Sequence, residues 1–268
     1  MGCYFFLLVW LILKEKIFWN KGEDIMLKML QIEILKLKHS KVLWIAALAP
    51  AFVVFQGASN FLRYYDLFTE KGQNIWSQIY TQSVIFYSFL LLPILITLIM
   101  SIMGKVENDN GGWKYALTLP VKRKDMYISK FILGSGIVFI NILVFIVSVL
   151  IAGKMVKAPG PIPYDMIIGQ PLLSYIVSFP IMIIIYIISI SFSHVGVPLG
   201  LGIGLTLPAL LVANTKYWIF YPWTYPAMAT SGGGLFESSM LIYPFSIVLF
   251  VIAFVIGLYK FKTKDILS

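Results

Sequence analysis

Residues 131–153 read FILGSGIVFINILVFIVSVLIAG and contain no Lys, Arg, Asp or Glu. A helix needs roughly 20 such residues to cross a hydrocarbon layer about 30 Å thick. Five further runs, 42–58, 79–103, 172–193, 195–213 and 240–259, are likewise free of charge and approach or reach that length. Lipid offers no partner to an open strand edge, so continuous apolar runs read as helices. A membrane barrel would show short alternating segments instead. The expected fold is an all-α integral membrane protein with six transmembrane helices. The run 42–58 is the shortest, and Pro198 and Pro208 interrupt 195–213.

The rest of the composition agrees. Of 268 residues, 59% are hydrophobic and 12% charged, against about 25% charged in a soluble domain. A soluble enzyme and a disordered chain are excluded. The net charge of +9 does not make a nucleic-acid surface, because the basic residues flank apolar runs rather than forming one stripe. Cys3 is the only cysteine, so neither an intrachain disulfide nor a cysteine metal site is available. Cytoplasmic loops collect Lys and Arg. Lys28, Lys36, Lys38 and Lys41 precede the first run, six bases lie in 104–130, and Lys260, Lys262 and Lys264 follow the last. The alternate loops hold only Arg63, Lys71, Lys154, Lys157 and Lys216. Both termini are therefore expected in the cytoplasm.

Residues 1–25 stand apart. Met1–Leu13 is too short to span and lacks the basic start and small-residue cleavage site of a signal peptide. Lys21-Gly22-Glu23 can be encoded by a purine run of the AAGGAG type just before Met26. Met26 is thus expected to begin the natural chain, with 1–25 a leader read in frame. A short interfacial segment is the alternative. Residues 26–268 form the six-helix domain. Within it, LKMLQIEILKLKHS at 27–40 puts Leu27, Leu30, Ile34 and Leu37 on one helical face, the pattern of an amphipathic helix lying on a leaflet. Glu33 reads as a helix-surface partner of Lys28 or Lys36, or as a contact for another protein.

Three polar or glycine-rich stretches carry further information. The loop 104–130, GKVENDNGGWKYALTLPVKRKDMYISK, orders an acid, a glycine turn, a short apolar helix, a proline and a base cluster. Trp113–Leu119 should form a helix that ends at Pro120, and Pro120 suits the first turn of the next. The segment 214–239 holds Tyr217, Trp218, Tyr221 and Trp223, residue types that favour the headgroup level. It reads as an interfacial or re-entrant hairpin at 216–228, either an anchor belt or an outer path for an amphiphilic substrate. Gly196, Gly200 and Gly204 recur every four residues, as in a helix-packing stripe within or between subunits.

Chemistry is sparse. No run holds an intramembrane charge of the kind ion-coupled carriers use. There is no GxxxxGK[ST] nucleotide loop. Asn141, inside the third run, reads as a helix–helix hydrogen bond. An embedded enzyme would need paired Asp, Glu or His at membrane depth, and a non-transporting structural or sensory protein would need none; both are alternatives to a transporter.

The N-terminal Glu33 followed by Lys36-Leu37-Lys38, the six runs, and the order Glu107, Gly111-Gly112, a helix to Leu119-Pro120, Lys122-Arg123 and Lys130 resemble ABC-2-type transporter permeases. Members often have Gly-Thr where this chain has Gly-Gly. The small size and the N-terminal motif look most like bacterial permeases for lantibiotic immunity or bacitracin-type peptide resistance. The resemblance implies a multi-pass permease of the bacterial cell membrane. It would pair with a second copy or a sister permease, and a separate ATP-binding subunit would bind the ATP. This chain itself would bind no cofactor or metal and catalyse nothing. It implies that Glu107, Gly111, Gly112, Trp113, Tyr115, Leu117, Pro120, Lys122, Arg123 and Lys130 couple to that subunit. It also implies that Glu33, Lys36 and Lys38 belong to an interfacial helix, and that the cargo is an exported amphiphile.

Overall fold

The computed structural model describes residues 29–31, 33–35, 42–70, 72–108, 122–192, 194–231 and 240–263. These are helices joined by turns and irregular loops, with no strand among the described residues. Five helices are long and apolar enough to cross a membrane: α1 (Val42–Arg63), α2 (Ile75–Lys105), α3 (Arg123–Met155), α4 (Asp165–Ser191) and, after a shorter α5 (Gly196–Val212), α6 (Ile242–Thr263). The segment expected as a fifth span is thus shorter than the rest and broken in two, Gly196–Thr206 and Ala209–Val212. Pro208, at the break, has no N–H to donate and its ring crowds the preceding turn.

The helices outrun the apolar sequence. α1 continues past residue 58 to Arg63, and its 22 residues rise about 33 Å at 1.5 Å per residue. α3 starts at Arg123, with Lys122 as the flanking residue, rather than at Pro120 or 131. Lys130 therefore sits two turns inside a helix. α4 starts at Asp165, within the proline-rich loop. Both α2 and α4 contain a π turn, at Tyr87–Leu91 and Asp165–Gly169, each just before a proline, Pro93 and Pro171. Such bulges relieve the ladder where a proline removes a donor.

α3 packs along α1, and α2 lies between α3 and the second half of α4, with α5 against α2. The core runs through Tyr80, Tyr87, Ile96, Tyr127, Phe145, Ile181 and Tyr186, all fully buried. α6 leans on α3 and α4 but is only 17% buried along its span, leaving Val248, Val251, Ile252 and Val255 exposed.

A buried polar hub fixes the α1–α2–α3 junction. Pro50 lies inside α1, so the Ala46 carbonyl one turn back loses its helical donor. The Asn141 Nδ2 supplies one at 2.5 Å, and the Tyr87 hydroxyl donates to Asn141 Oδ1 at 2.8 Å. The Tyr87 ring stacks on Phe145 at 4.0 Å. Asn141 is the interhelical hydrogen bond its position implied. Asn141→Leu strands both the carbonyl and the hydroxyl, and is expected to cost about 1–3 kcal/mol. A thermal melt of the purified protein in detergent checks this; an unchanged melting temperature would refute it.

Candidate functional site

The basic residues gather at one end of the bundle. α2 reaches that end at Lys105 and α3 leaves it at Arg123. The Arg123 guanidinium donates to the carbonyl of Lys262 on α6 at 2.9 Å. Lys122 and Lys124 are exposed there. Helix α3 thus begins pinned to α6, directly after the loop expected to meet a partner.

At the same end the short helical stretch at 29–35 is locked into the bundle. The Lys130 ammonium meets Glu33 Oε2 at 2.7 Å, with the two side chains 1% and 8% exposed. Met29, one turn before Glu33, is also buried, whereas Leu35 is exposed and Leu30 and Ile34 are half-buried. The inward side of this helix is therefore Met29–Glu33, not the Leu30–Ile34 face. Glu33 is thus buried rather than on the helix surface, and Lys28 and Lys36 lie outside the described residues. Lys130, expected among the coupling residues, is buried against Glu33. The reason is the early start of α3, which carries position 130 from the loop into the packed region. Glu107 lies in the last helical turn before Asn108. Its side chain, and Gly111, Gly112, Trp113, Tyr115, Leu117, Pro120, Lys36 and Lys38, lie outside the described residues, as does 1–25.

At the opposite end, 217–230 folds as two 3-10 turns, Trp218–Phe220 and Pro222–Thr224, and a short helix, Tyr225–Thr230. All six residues of that helix are buried, packed on the first half of α4 and the π turn of α2. The segment dips back into the bundle, which separates its aromatic residues. Tyr217 is 60% exposed while Trp223 is 3% exposed and part of the main core. Trp223 is therefore a core residue of this chain, whereas Tyr217 is exposed and Trp218 and Tyr221 half-exposed. The Tyr221 hydroxyl donates to the Leu205 carbonyl beside the break in α5, and Tyr225 to Ile219 O at 2.6 Å. Burial pushes the Tyr225 phenol up to about 12.

The glycine stripe makes no helix contact among the described residues of the chain, which leaves the between-subunit alternative for it. Gly196, Gly200 and Gly204 are exposed, and a Cβ on any of them would meet nothing within 4 Å. The close approach on α5 is at Gly202, whose absent Cβ leaves room for Thr97 of α2. Gly202→Val is expected to cost about 1–3 kcal/mol through overpacking, whereas Gly200→Ala leaves the melting temperature unchanged. Equal melts for the two variants would contradict the α2–α5 contact. Among the described residues no group of three or more His, Cys, Asp or Glu could hold a metal ion.

This set of features has a known counterpart. A family model described as ABC-2 family transporter protein matches residues 29–209. The chain belongs to the ABC-2 transporter family. No curated protein matches it. The matched region opens on Met29 and Glu33 and includes α1 to α4 and most of α5, so the locked N-terminal helix is within the family's own span. This ABC-2 chain is a multi-pass membrane permease subunit of an ABC transporter, a transport subunit that is generally not catalytic itself. The family implies association with an ABC ATP-binding subunit, and the bacterial plasma membrane is its usual location.

Sequence reasoning singled out the loop and the aromatic segment but not the Glu33–Lys130 pair. Ninety-seven residues separate the two, and nothing local to either marks the other. The only available signal was chemical: an acid on an otherwise apolar or basic helix, and a lysine just before an apolar run.

Proposed function

We propose that this ABC-2 permease is the membrane half of an exporter. It carries a hydrophobic or amphiphilic substrate, an antimicrobial peptide of the lantibiotic class, outward on ATP hydrolysed by a separate subunit. Two copies, or one copy and a sister permease, would form the pathway, with the basic end in the cytoplasm. The ATP-binding subunit would grip 104–130, where Glu107, Trp113, Tyr115, Leu117, Lys122 and Arg123 are the contact candidates.

The buried Glu33–Lys130 pair carries this reading. α3 is a helix of 33 residues, a rod of about 50 Å. Its first turns are fastened to the N-terminal helix by that pair and to α6 by Arg123. A push on the preceding loop would therefore move three elements together and reach the far end of the bundle.

Alanine replacement across 113–119 tests the coupling. Export and co-purification with the ATP-binding subunit should both fall at least about tenfold, a loss of about 1.4 kcal/mol, while the permease still reaches the membrane. Unaltered association and export would overturn the assignment. Comparing the peptide sensitivity of cells with and without the subunit pair tests the substrate class.

A further inference from the structure

A groove with a cavity of about 480 Å³ opens between α1 and α2 at the end of the bundle poorer in bases. Its wall on α1 is Gln56, Ser59, Asn60 and Arg63, and α2 contributes Gln82. On α1 these residues fall three, four and seven positions after Gln56, one continuous helical face. Gly57 sets the depth of the groove, since its missing side chain lets α1 close onto Ser83 of α2. The Asn60 amide donates to Gln82 Oε1 at 2.8 Å and joins the two walls. That leaves the Gln82 amino group as a donor. Ser59 turns its hydroxyl back to Phe55 O. No hydrogen bond or ion pair engages the Gln56 amide or the Arg63 guanidinium among the described residues.

An exposed amide in hydrocarbon costs several kcal/mol without a partner, so a polar face on a spanning helix calls for an occupant. The spacing says which kind. Arg63 is the last residue of α1, the point at which a spanning helix meets the headgroups, and Gln56 is about 10 Å further in along the helix. Guanidinium matches the geometry of phosphate, two donors to two oxygens. The amides below it stand where the glycerol and ester oxygens of a lipid lie. Exposed Phe86 lines the groove with Val53, a surface for an acyl chain. We infer that this groove binds one phospholipid, its phosphate on Arg63 and its ester region on Gln56 and Gln82. The inference does not depend on the export reading.

The test uses the full chain, purified in detergent, stripped of lipid, and titrated with phosphatidylglycerol while native mass spectrometry counts bound lipid. One lipid per chain should be held, and Arg63→Gln should weaken it about tenfold, the worth of one charge-assisted hydrogen bond. Gln56→Leu should weaken it less, and Arg63→Lys should keep part of the affinity. Diacylglycerol with the same chains, and inorganic phosphate alone, should each bind at least about tenfold more weakly, since each lacks half of the contacts. Equal affinity in wild type and Arg63→Gln would overturn the inference, as would phosphate alone binding as tightly as the lipid. A third contrary result would be disulfide formation between copies through Ser59→Cys in a Cys3→Ser background with no lipid retained, which makes the groove a subunit interface. Should Arg63→Gln fail to fold, Gln56→Leu and Arg63→Lys decide by the same titration.

Discussion

Glu33→Ala is expected to destabilise the protein by about 3–5 kcal/mol, because it leaves the Lys130 ammonium buried without its partner charge. Lys130 is fully buried and Glu33 nearly so. Lys130→Ala should cost about as much for the mirror reason. The pair itself need not be a net source of stability. Bringing both ions out of water offsets much of their attraction, so an apolar pair of similar volume is often neutral or better. Glu33→Leu with Lys130→Met should therefore recover most of the melting temperature lost by either single change. Melts of the three variants in detergent check the energetics. Export by the double variant then separates two roles. Restored folding with lost export makes the pair a mechanical fastener, whereas restored folding and export make it structural only. A Glu33→Ala protein that melts like wild type would mean that the two charges are not desolvated together.

Trp223→Ala is expected to cost about 3–5 kcal/mol, the usual range for emptying a buried aromatic site. The indole is 3% exposed and packed in the main core. Its loss should unseat the helix Tyr225–Thr230, which sits on α4 and the π turn of α2. Tyr217→Ala, six residues earlier but 60% exposed, should change stability by no more than about 0.5 kcal/mol. Limited proteolysis at 214–231 reads both variants, with faster cleavage expected only for Trp223→Ala. Equal cleavage rates would mean that the segment lies on the surface throughout. Any effect of Tyr217→Ala or Trp218→Ala on peptide protection, at unchanged melting temperature, would then report on substrate rather than on packing.

The spans were legible because hydrocarbon imposes a length and forbids unpaired charge, two properties that a linear sequence displays directly. α1, α2 and α3 contain the runs read from composition, and α4 and α6 each cover all but two residues of theirs. Their ends were less legible. A helix continues past its apolar stretch wherever its polar ends reach water or pair with each other, as the start of α3 does through Arg123 and Lys130. Gly196, Gly200 and Gly204 show the limit of periodicity. Their spacing is correct for a groove, but which face of α5 meets α2 is settled by the neighbour, and the neighbour chose Gly202. The aromatic segment shows the same limit, since Trp223 and Tyr217 are alike in type and opposite in burial.

From its own sequence this protein could be known as a bundle of membrane helices with a basic end, a proline-broken fifth segment and an interhelical Asn141, since each follows from local length, charge or backbone chemistry. The three-dimensional packing alone decided that Glu33 faces Lys130, that Asn141 caps the carbonyl freed by Pro50, and that Gln56, Arg63 and Gln82 share one groove. Those partners come from different helices, and only the way the helices cross brings them within reach.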